Sequence, residues 1–416
     1  MNRTLRTPVA CLTPPALAAA MLLGALALPA AAADFVTSDR TIANGNPMNG
    51  SYSGQAILVG ASGIFDGEVT RVPNVRVDIV APAQLNFSDA TGGFLALYSN
   101  SVVRMTGGSA GTPSGFANVG RFTAYDTSQL EVSGGSLSGI TLNGASAGAA
   151  GARATVSGGI LQGSAGIVAY ATNGTLNVSG GLISATGGNV QPGIQGDSGS
   201  VITLSGGTVQ STSGAGVYIH MNSAFTMTGG TATGGPGGVA QWGVRLEGTS
   251  QTANLQGGTV NGGMRTSAGF NQTALQATLG GSLTVNGGVF AYSNAAVNVT
   301  GGSYTRFAGA DASFFTMGSN NINFYGTDLA LSDPTAGSVF ELNNYIGNFY
   351  TFTGGTFSDG QSAIGLRLFD ATSVAGNVLG GGFTLNPSAV PEPSTWLLMA
   401  LALPAIGAAV RRRNRA

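Results

Sequence analysis

The sequence predicts an all-β protein built as a single-stranded parallel β-helix, or β-solenoid, which we expect to be right-handed. Two observations predict this fold. The chain has 416 residues, of which 69 are Gly and only 8 % are charged. A short motif also recurs along it: apolar, polar, apolar, Ser or Thr, Gly, Gly, small polar, apolar. Alternation with a period of two is typical of a strand with one buried face, and the glycines oppose a helix.

The motif returns at the interval expected of one solenoid coil. From Gly107 to Gly287 the first glycines follow one another at steps of 22 to 30 residues, so that roughly 12 to 15 coils would fill the body of the chain. The 14-residue step from Gly287 to Gly301 indicates either that two motifs share one coil or that one copy is coincidental. The copies lie at 130–137, 154–159, 176–181 and 202–209, with others centred on Gly107, Gly229, Gly257, Gly287, Gly301 and Gly354.

Stacking the copies predicts a continuous apolar core with polar columns outside. Each Gly pair is expected to turn a corner, because Gly reaches positive φ and allows close approach of successive coils. Leu130 and Val132 should then lie over Ala154 and Val156 of the next coil. The outward column should contain Glu131, Thr155, Asn177, Thr203, Thr226, Asn254, Thr284 and Asn298.

The N-terminal residues have the order of a secretory signal peptide. Arg3 and Arg6 precede an apolar stretch over 16–28, which a run of alanines follows. We expect a signal peptide over 1–33 that engages the secretion translocon, with Ala31 and Ala33 forming the cleavage site. Cys11, the single cysteine, would leave with the signal, so the mature chain should have no disulfide and no cysteine nucleophile.

The C-terminal residues resemble the PEP-CTERM sorting signal. Val390, Pro391, Glu392 and Pro393 precede a short apolar segment over 396–410, and a basic cluster of Arg411, Arg412, Arg413 and Arg415 comes after it. The resemblance implies that an exosortase, a membrane enzyme of Gram-negative bacteria, recognises Pro391-Glu392-Pro393 and removes the apolar segment and the basic cluster. The apolar segment would form a short transmembrane helix, held temporarily in the inner membrane by the Arg cluster.

The predicted domains follow from these features. A solenoid domain should occupy 34–389, between the signal peptide and a sorting tail over 390–416. Residues 34–90 contain no clean copy of the motif and hold a close acidic pair, Asp66 and Glu68, which indicates an N-terminal cap. Residues 290–389 are rich in Phe and Tyr, which indicates larger C-terminal coils and a second cap.

The sequence offers little catalytic chemistry, so we expect no enzyme, cofactor or metal. Its acidic residues Glu131, Asp197, Glu247 and Asp311 are expected to fall in different coils at different phases, without the facing carboxylate pair that glycoside hydrolysis needs. His220 is the only histidine and is expected to face outward from a strand. The scarcity of basic residues argues against a nucleic-acid groove.

The resulting hypothesis is a non-catalytic, adhesin-like structural protein of the outer surface or the extracellular matrix. Its Gly-rich repeats resemble autotransporter passenger domains, and the sorting signal implies exopolysaccharide as a further candidate partner. The alternative is a polysaccharide-modifying β-helix enzyme, a lyase or a glycosidase, because one fold supports many chemistries.

Overall fold

A computed structural model describes most of the body of the chain. It gives the backbone of short strands between residues 34 and 98, and then residues 101–111, 121–144, 151–267, 275–339 and 345–387, with short gaps inside the last three ranges. Every regular element in this part is a β-strand. None of these residues forms a helix long and apolar enough to cross a membrane. The predicted helix over 396–410 lies outside the described residues.

The first strands are β1 (Asp34–Val36), β2 (Arg40–Ile42), β3 (Ala56–Val59), β4 (Gly63–Phe65), β5 (Val69–Pro73), β6 (Arg76–Ile79), β7 (Gln84–Phe87), β8 (Phe94–Tyr98), β9 (Val102–Gly111), β10 (Arg121–Tyr125), β11 (Gln129–Leu137), β12 (Gly139–Asn143), β13 (Arg153–Val156), β14 (Ile160–Gly163), β15 (Ala169–Thr172), β16 (Thr175–Ala185), β17 (Ile194–Asp197) and β18 (Val201–Ser211). They are followed by β19 (Val217–His220), β20 (Ala224–Thr233), β21 (Val244–Glu247), β22 (Thr252–Asn261), β23 (Met264–Ser267), β24 (Leu275–Leu279), β25 (Thr284–Asn286), β26 (Val289–Tyr292), β27 (Ala295–Val299), β28 (Ser303–Tyr304), β29 (Phe314–Met317), β30 (Asn321–Leu331), β31 (Thr335–Val339), β32 (Tyr345–Phe357), β33 (Arg367–Val374), β34 (Asn377–Val378) and β35 (Phe383–Pro387).

These strands form a three-sided solenoid in which each side is a parallel ladder, which confirms the predicted fold class. The first side contains β1, β3, β6, β9, β11, β13, β16, β18, β20, β22, β24, β27, β30 and β35. The second side contains β2, β4, β7, β14, β25, β28 and the later halves of β9, β11, β16, β18, β20 and β22. The third side contains β5, β8, β10, β12, β15, β17, β19, β21, β23, β26, β29 and β33.

The core forms where the period-two pattern of one coil lies in register over that of the next. Leu130 pairs with Ala154, which pairs with Leu176, which pairs with Ile202, and all four side chains are buried. The predicted superposition of the copies is therefore confirmed. About seven regular turns follow this pattern. The coil count of the whole body and the handedness stay predictions.

The Gly pairs occupy the corner between the first and second sides. Gly181 has a φ of +79°, a conformation that other residues rarely adopt. A Cβ atom there would lie 2.7 Å from the carbonyl oxygen of Gly159 in the preceding coil. The corner therefore requires Gly for its backbone angle and for the close approach of the coil beneath it.

The irregular 14-residue step has a structural explanation. Thr284 pairs with Thr259 on the second side, so the pair Gly287-Gly288 lies at the next corner of the same coil. The equivalent of the other Gly pairs is Gly280-Gly281, which comes after β24. Placing Thr284 in the first-side column was therefore wrong. Thr278 takes that place, between Asn254 and Asn298.

Polar side chains link successive coils most clearly on the second side. Asn286 donates a hydrogen bond to Asn261, which donates in turn to Thr233 one coil further back, at 2.9 and 3.2 Å. Gln210 donates to Ser184 at 3.0 Å in the same column. Uncharged amides and hydroxyls therefore bridge the coils where a charged surface is missing.

The C-terminal part leaves the regular pattern. Strand β32 runs antiparallel to β30, β31 and β33, and so lies outside the parallel ladders. The motif copy at Gly354 lies within β32 and marks no coil corner, which corrects that part of the repeat assignment. Rings from this region pack over the outer face of the third side, where Phe315 lies 5.2 Å from both Tyr345 and Phe369 between ring centroids.

The segment 34–90, predicted as an N-terminal cap, contributes β1 to β7 to the parallel ladders. The acidic pair Asp66 and Glu68 lies outside the described residues. The boundaries of the predicted domains stay predictions.

We expect Val178→Asp to destabilise the solenoid by about 3–5 kcal/mol, because it places an unpaired charge in the dry core. Val178 is 1 % exposed and stacks between Val156 and Leu204. Chemical denaturation followed by circular dichroism measures the change. The matched control is Asn177→Asp on the exposed face of the same strand, which should alter the free energy of unfolding by less than about 0.5 kcal/mol. Equal losses in the two variants would contradict the assigned register.

Candidate functional site: a charged cluster on the third side

Four consecutive strands of the third side position an unusual group of side chains. Strands β17, β19, β21 and β23 each alternate a buried with a partly exposed residue. The buried residues anchor the strands in the core, as Val217 and Ile219 do in β19. The outward residues then lie side by side because the strands are in register. We define the charged cluster as Asp197, Tyr218, His220, Arg245, Glu247 and Arg265.

Glu247 is the centre of the charged cluster. Its Oε2 accepts hydrogen bonds from Arg245 Nη2 at 2.6 Å and from the Tyr218 hydroxyl at 3.4 Å. Its Oε1 lies 3.5 Å from Arg265 Nε, which belongs to the next coil. Arg245 also lies over the Tyr218 ring, with its guanidinium carbon 4.9 Å from the ring centroid. One carboxylate therefore holds two guanidinium groups and a phenol in fixed positions.

His220 continues the charged cluster toward the preceding coil. Its Nδ1 lies 3.3 Å from Asp197 Oδ1, and its ring centroid lies 5.7 Å from that of Tyr218. Gln195 Nε2 donates to Asp197 Oδ2 at 3.4 Å. His220 faces outward from its strand, as the sequence predicted.

Partial burial sets the electrostatics of these groups. Burial, together with the charge of Glu247, raises the pKa of Tyr218 to about 12. Burial acts to lower the pKa of Arg245, but the hydrogen bond and the charge of Glu247 outweigh it, so this pKa is raised. Tyr218 is therefore a neutral hydrogen-bond donor at physiological pH, and Arg245 is a permanent cation.

The structure corrects one prediction about the acidic residues. Asp197 and Glu247 were expected at different phases, yet both occupy the outward position after the last buried residue of a third-side strand, on either side of His220. Glu131 lies on the first side, where it pairs with Arg104 at 2.8 Å. Asp311 lies near the C-terminal end, where Arg306 and Arg367 contact it. Two of the four acidic residues therefore share one column.

The residues of the charged cluster provide hydrogen bonds and charge in a fixed geometry. Across the part of the chain that the structure describes, no three His, Cys, Asp or Glu side chains come together as metal ligands. The acceptors of Glu247 already have partners, whereas each guanidinium offers five donors. The arrangement therefore suits an anionic or hydroxyl-rich ligand better than a cation.

Sequence reasoning missed the charged cluster because its members are separated by whole coils. Signals were present, since Val217-Tyr218-Ile219-His220 and Val244-Arg245-Leu246-Glu247 share one pattern without a Gly pair. Aligning these segments with one another, as the Gly motifs align, would have found it. The sorting residues Val390 to Pro393, the Arg cluster 411–415 and the cleavage residues Ala31 and Ala33 lie outside the described residues and stay predictions.

We expect Tyr218→Phe to reduce the loss of stability at alkaline pH. A raised pKa means that the fold favours the neutral phenol. The stabilisation is therefore fully present below about pH 10, the ordinary Tyr value, and is lost as the pH rises to about 12. After allowance for solvent screening at this partly exposed site, the effect should be about 1 kcal/mol.

Urea denaturation at a series of pH values between neutral and strongly alkaline measures this effect. The control is Tyr170→Phe, in the same column two coils away. The explanation would be wrong if the Tyr170 variant reduced the alkaline loss as much as the Tyr218 variant.

Comparison with known proteins bears on a different part of the chain. No curated protein and no solved structure gives a significant match. Residues 389–413 match the family model for the PEP-CTERM protein-sorting motif, as the resemblance predicted. This motif implies an exported protein that an exosortase processes while a C-terminal segment holds it in the membrane. The chain therefore combines a β-solenoid body with a PEP-CTERM protein-sorting motif.

Proposed function

We propose that this protein is a non-catalytic, adhesin-like structural component of the outer surface or extracellular matrix of a Gram-negative bacterium. The observation that carries the proposal is the sorting motif at 389–413, immediately after the last strand of a long solenoid. Export delivers the chain across the inner membrane, and removal of the tail by exosortase releases the solenoid to the outside.

The surface of the solenoid supports a structural role. Its columns are rich in Thr, Ser, Asn and Gln, and its coils are joined by uncharged hydrogen bonds as well as by the core. Such contacts do not depend on a reducing environment or on a bound metal. Stacked coils with polar columns provide an extended, repetitive surface of the kind that suits contact with other surface components.

Replacing Pro391, Glu392 and Pro393 with Ala should trap the precursor in the inner membrane. Export through the signal peptide would continue, but the exosortase would no longer recognise the tail, whose apolar segment and Arg cluster hold it in place. Membrane fractionation and mass spectrometry of the C-terminal peptide measure the outcome.

The control variant for this experiment is Thr155→Ala, an exposed position in β13 far along the chain from the motif. This variant should be processed and released normally. Release of the triple variant without Arg411 to Arg415 would show that the three residues are not the recognition element.

The alternative of a polysaccharide-modifying enzyme has one observation in its favour, the shared column of Asp197, His220 and Glu247. The carboxylates lie two coils apart, which is about 10 Å at the usual strand spacing. Each is already paired, Asp197 with His220 and Glu247 with two arginines.

We expect no hydrolysis and no elimination when the purified protein is incubated with common exopolysaccharides. Reducing-sugar and unsaturated-product assays measure both reactions. Activity that Glu247→Gln abolished would overturn the non-catalytic proposal.

A further inference from the structure

The charged cluster occupies a defined position on the third side. Toward the C-terminal end its column is covered, since Trp242 packs on Phe290 and Phe307 with ring centroids 4.7 and 6.3 Å apart. Toward the N-terminal end the column continues through Gln195 and Tyr170, which are partly exposed. The charged cluster therefore lies between these packed aromatic rings and the partly exposed residues Tyr170 and Gln195, which we call the strip.

Coil stacking alone does not explain these charges. On the second side neutral amides and hydroxyls join the coils, and on the third side the backbone ladders pair the strands in register. The side chains of Arg245 and Glu247 are only 25 % and 17 % exposed. Removing two charges from water is costly even when they pair. Only 8 % of the residues in this chain are charged, so the grouping of charged side chains in one cluster requires an explanation other than coil stacking.

The charged cluster has more hydrogen-bond donors than acceptors. Two guanidinium groups share the single carboxylate of Glu247. Arg245 Nε is buried without a hydrogen-bond partner, and Arg265 Nε, which is also buried, has only the 3.5 Å ion pair with Glu247 and no hydrogen bond. A desolvated donor without a partner costs free energy, and native proteins rarely leave one unexplained. The imbalance favours a ligand that brings additional oxygen acceptors.

We infer that the charged cluster and the strip beside it bind an acidic polysaccharide through its carboxylates. Arginine matches a carboxylate with two parallel hydrogen bonds, and two adjacent guanidinium groups provide donors beyond those that Glu247 uses. The proposed export sets only the biological context, since binding itself does not require sorting.

The ladder favours an extended polymer over a small anion. Coils succeed one another about every 4.8 Å, a spacing close to the length of one sugar ring in an extended chain. From Arg265 the same column presents Arg245, Tyr218, Gln195 and Tyr170 in order. Tyrosine rings pack against the apolar faces of sugars while their hydroxyls bind water or sugar oxygens. The strip thus provides carboxylate recognition at one end and sugar packing along its length.

The test uses the purified full chain and isothermal titration calorimetry with an oligogalacturonate, at physiological salt where charges are screened beyond about 8 Å. The methyl-esterified oligomer, which keeps the sugar backbone but lacks the carboxylates, is the matched ligand. We expect binding to the acid form and at least about tenfold weaker binding to the ester.

Variants locate the site. Arg265→Gln should weaken binding by about tenfold or more, and Arg265→Lys should recover only part of it, since Lys keeps the charge but not the planar fork. Tyr170→Ala, a change outside the charged cluster, should also weaken binding if the polymer follows the strip. Thermal unfolding shows whether each variant is folded. If the Arg265 variants do not fold, Tyr170→Ala still tests whether the polymer binds along the strip.

Arg104→Gln is the matched control, because Arg104 forms a comparable ion pair with Glu131 beside a shallow depression on the first side. It should leave the affinity within about twofold. The inference is overturned by an absence of binding, by equal affinity for the acid and the ester, or by equal losses in the Arg104 and Arg265 variants. Such a failure would leave the outcome of the sorting experiment unchanged.

Discussion

Registered stacking of one coil on the next is the constraint on which the rest of this structure depends. Each coil pairs its backbone with the coils on both sides, so a corner residue that prevents close approach disturbs the ladders of the two sides that it joins. The Gly pairs meet this demand at the first corner, where the carbonyl groups of one coil occupy the space that a Cβ atom of the next would need. Because the strands are in register, buried residues of one coil lie over buried residues of the next. The outward residues between them then form the polar columns of the surface.

The core of this fold could be predicted from sequence because the motif encodes register directly. Two apolar residues flanking a polar one, at a fixed distance before a Gly pair, define both the inward face and the corner. The prediction failed at Gly287, because a Gly pair at the corner after the second side has the same local sequence as a Gly pair at the corner after the first side. It also failed at Gly354, where β32 pairs antiparallel with β30 and so leaves the parallel ladders.

The charged cluster escaped the sequence analysis because the coil length varies and the Gly motif does not mark the third side. Arg245 and Glu247 are neighbours within one strand, but His220 and Arg265 reach them only through coils of different lengths. A change of one residue in a connecting loop would exchange the inward and outward positions without altering the composition. The third-side segments must be aligned with one another before these groups appear side by side, whereas the Gly motif reports only the first side and its corner.

Strand β35 is the last described strand before the sorting motif. It pairs with β30 through five successive residues and ends at Pro387, two positions before the motif begins at residue 389. A chain this short cannot act as a long flexible tether. If processing follows folding, the motif that the enzyme recognises is separated from the last paired strand by a single residue of chain, 388. Opening of this final strand pair would lengthen the unpaired chain between the solenoid and the motif, which would couple the folding of the last coil to the processing of the tail.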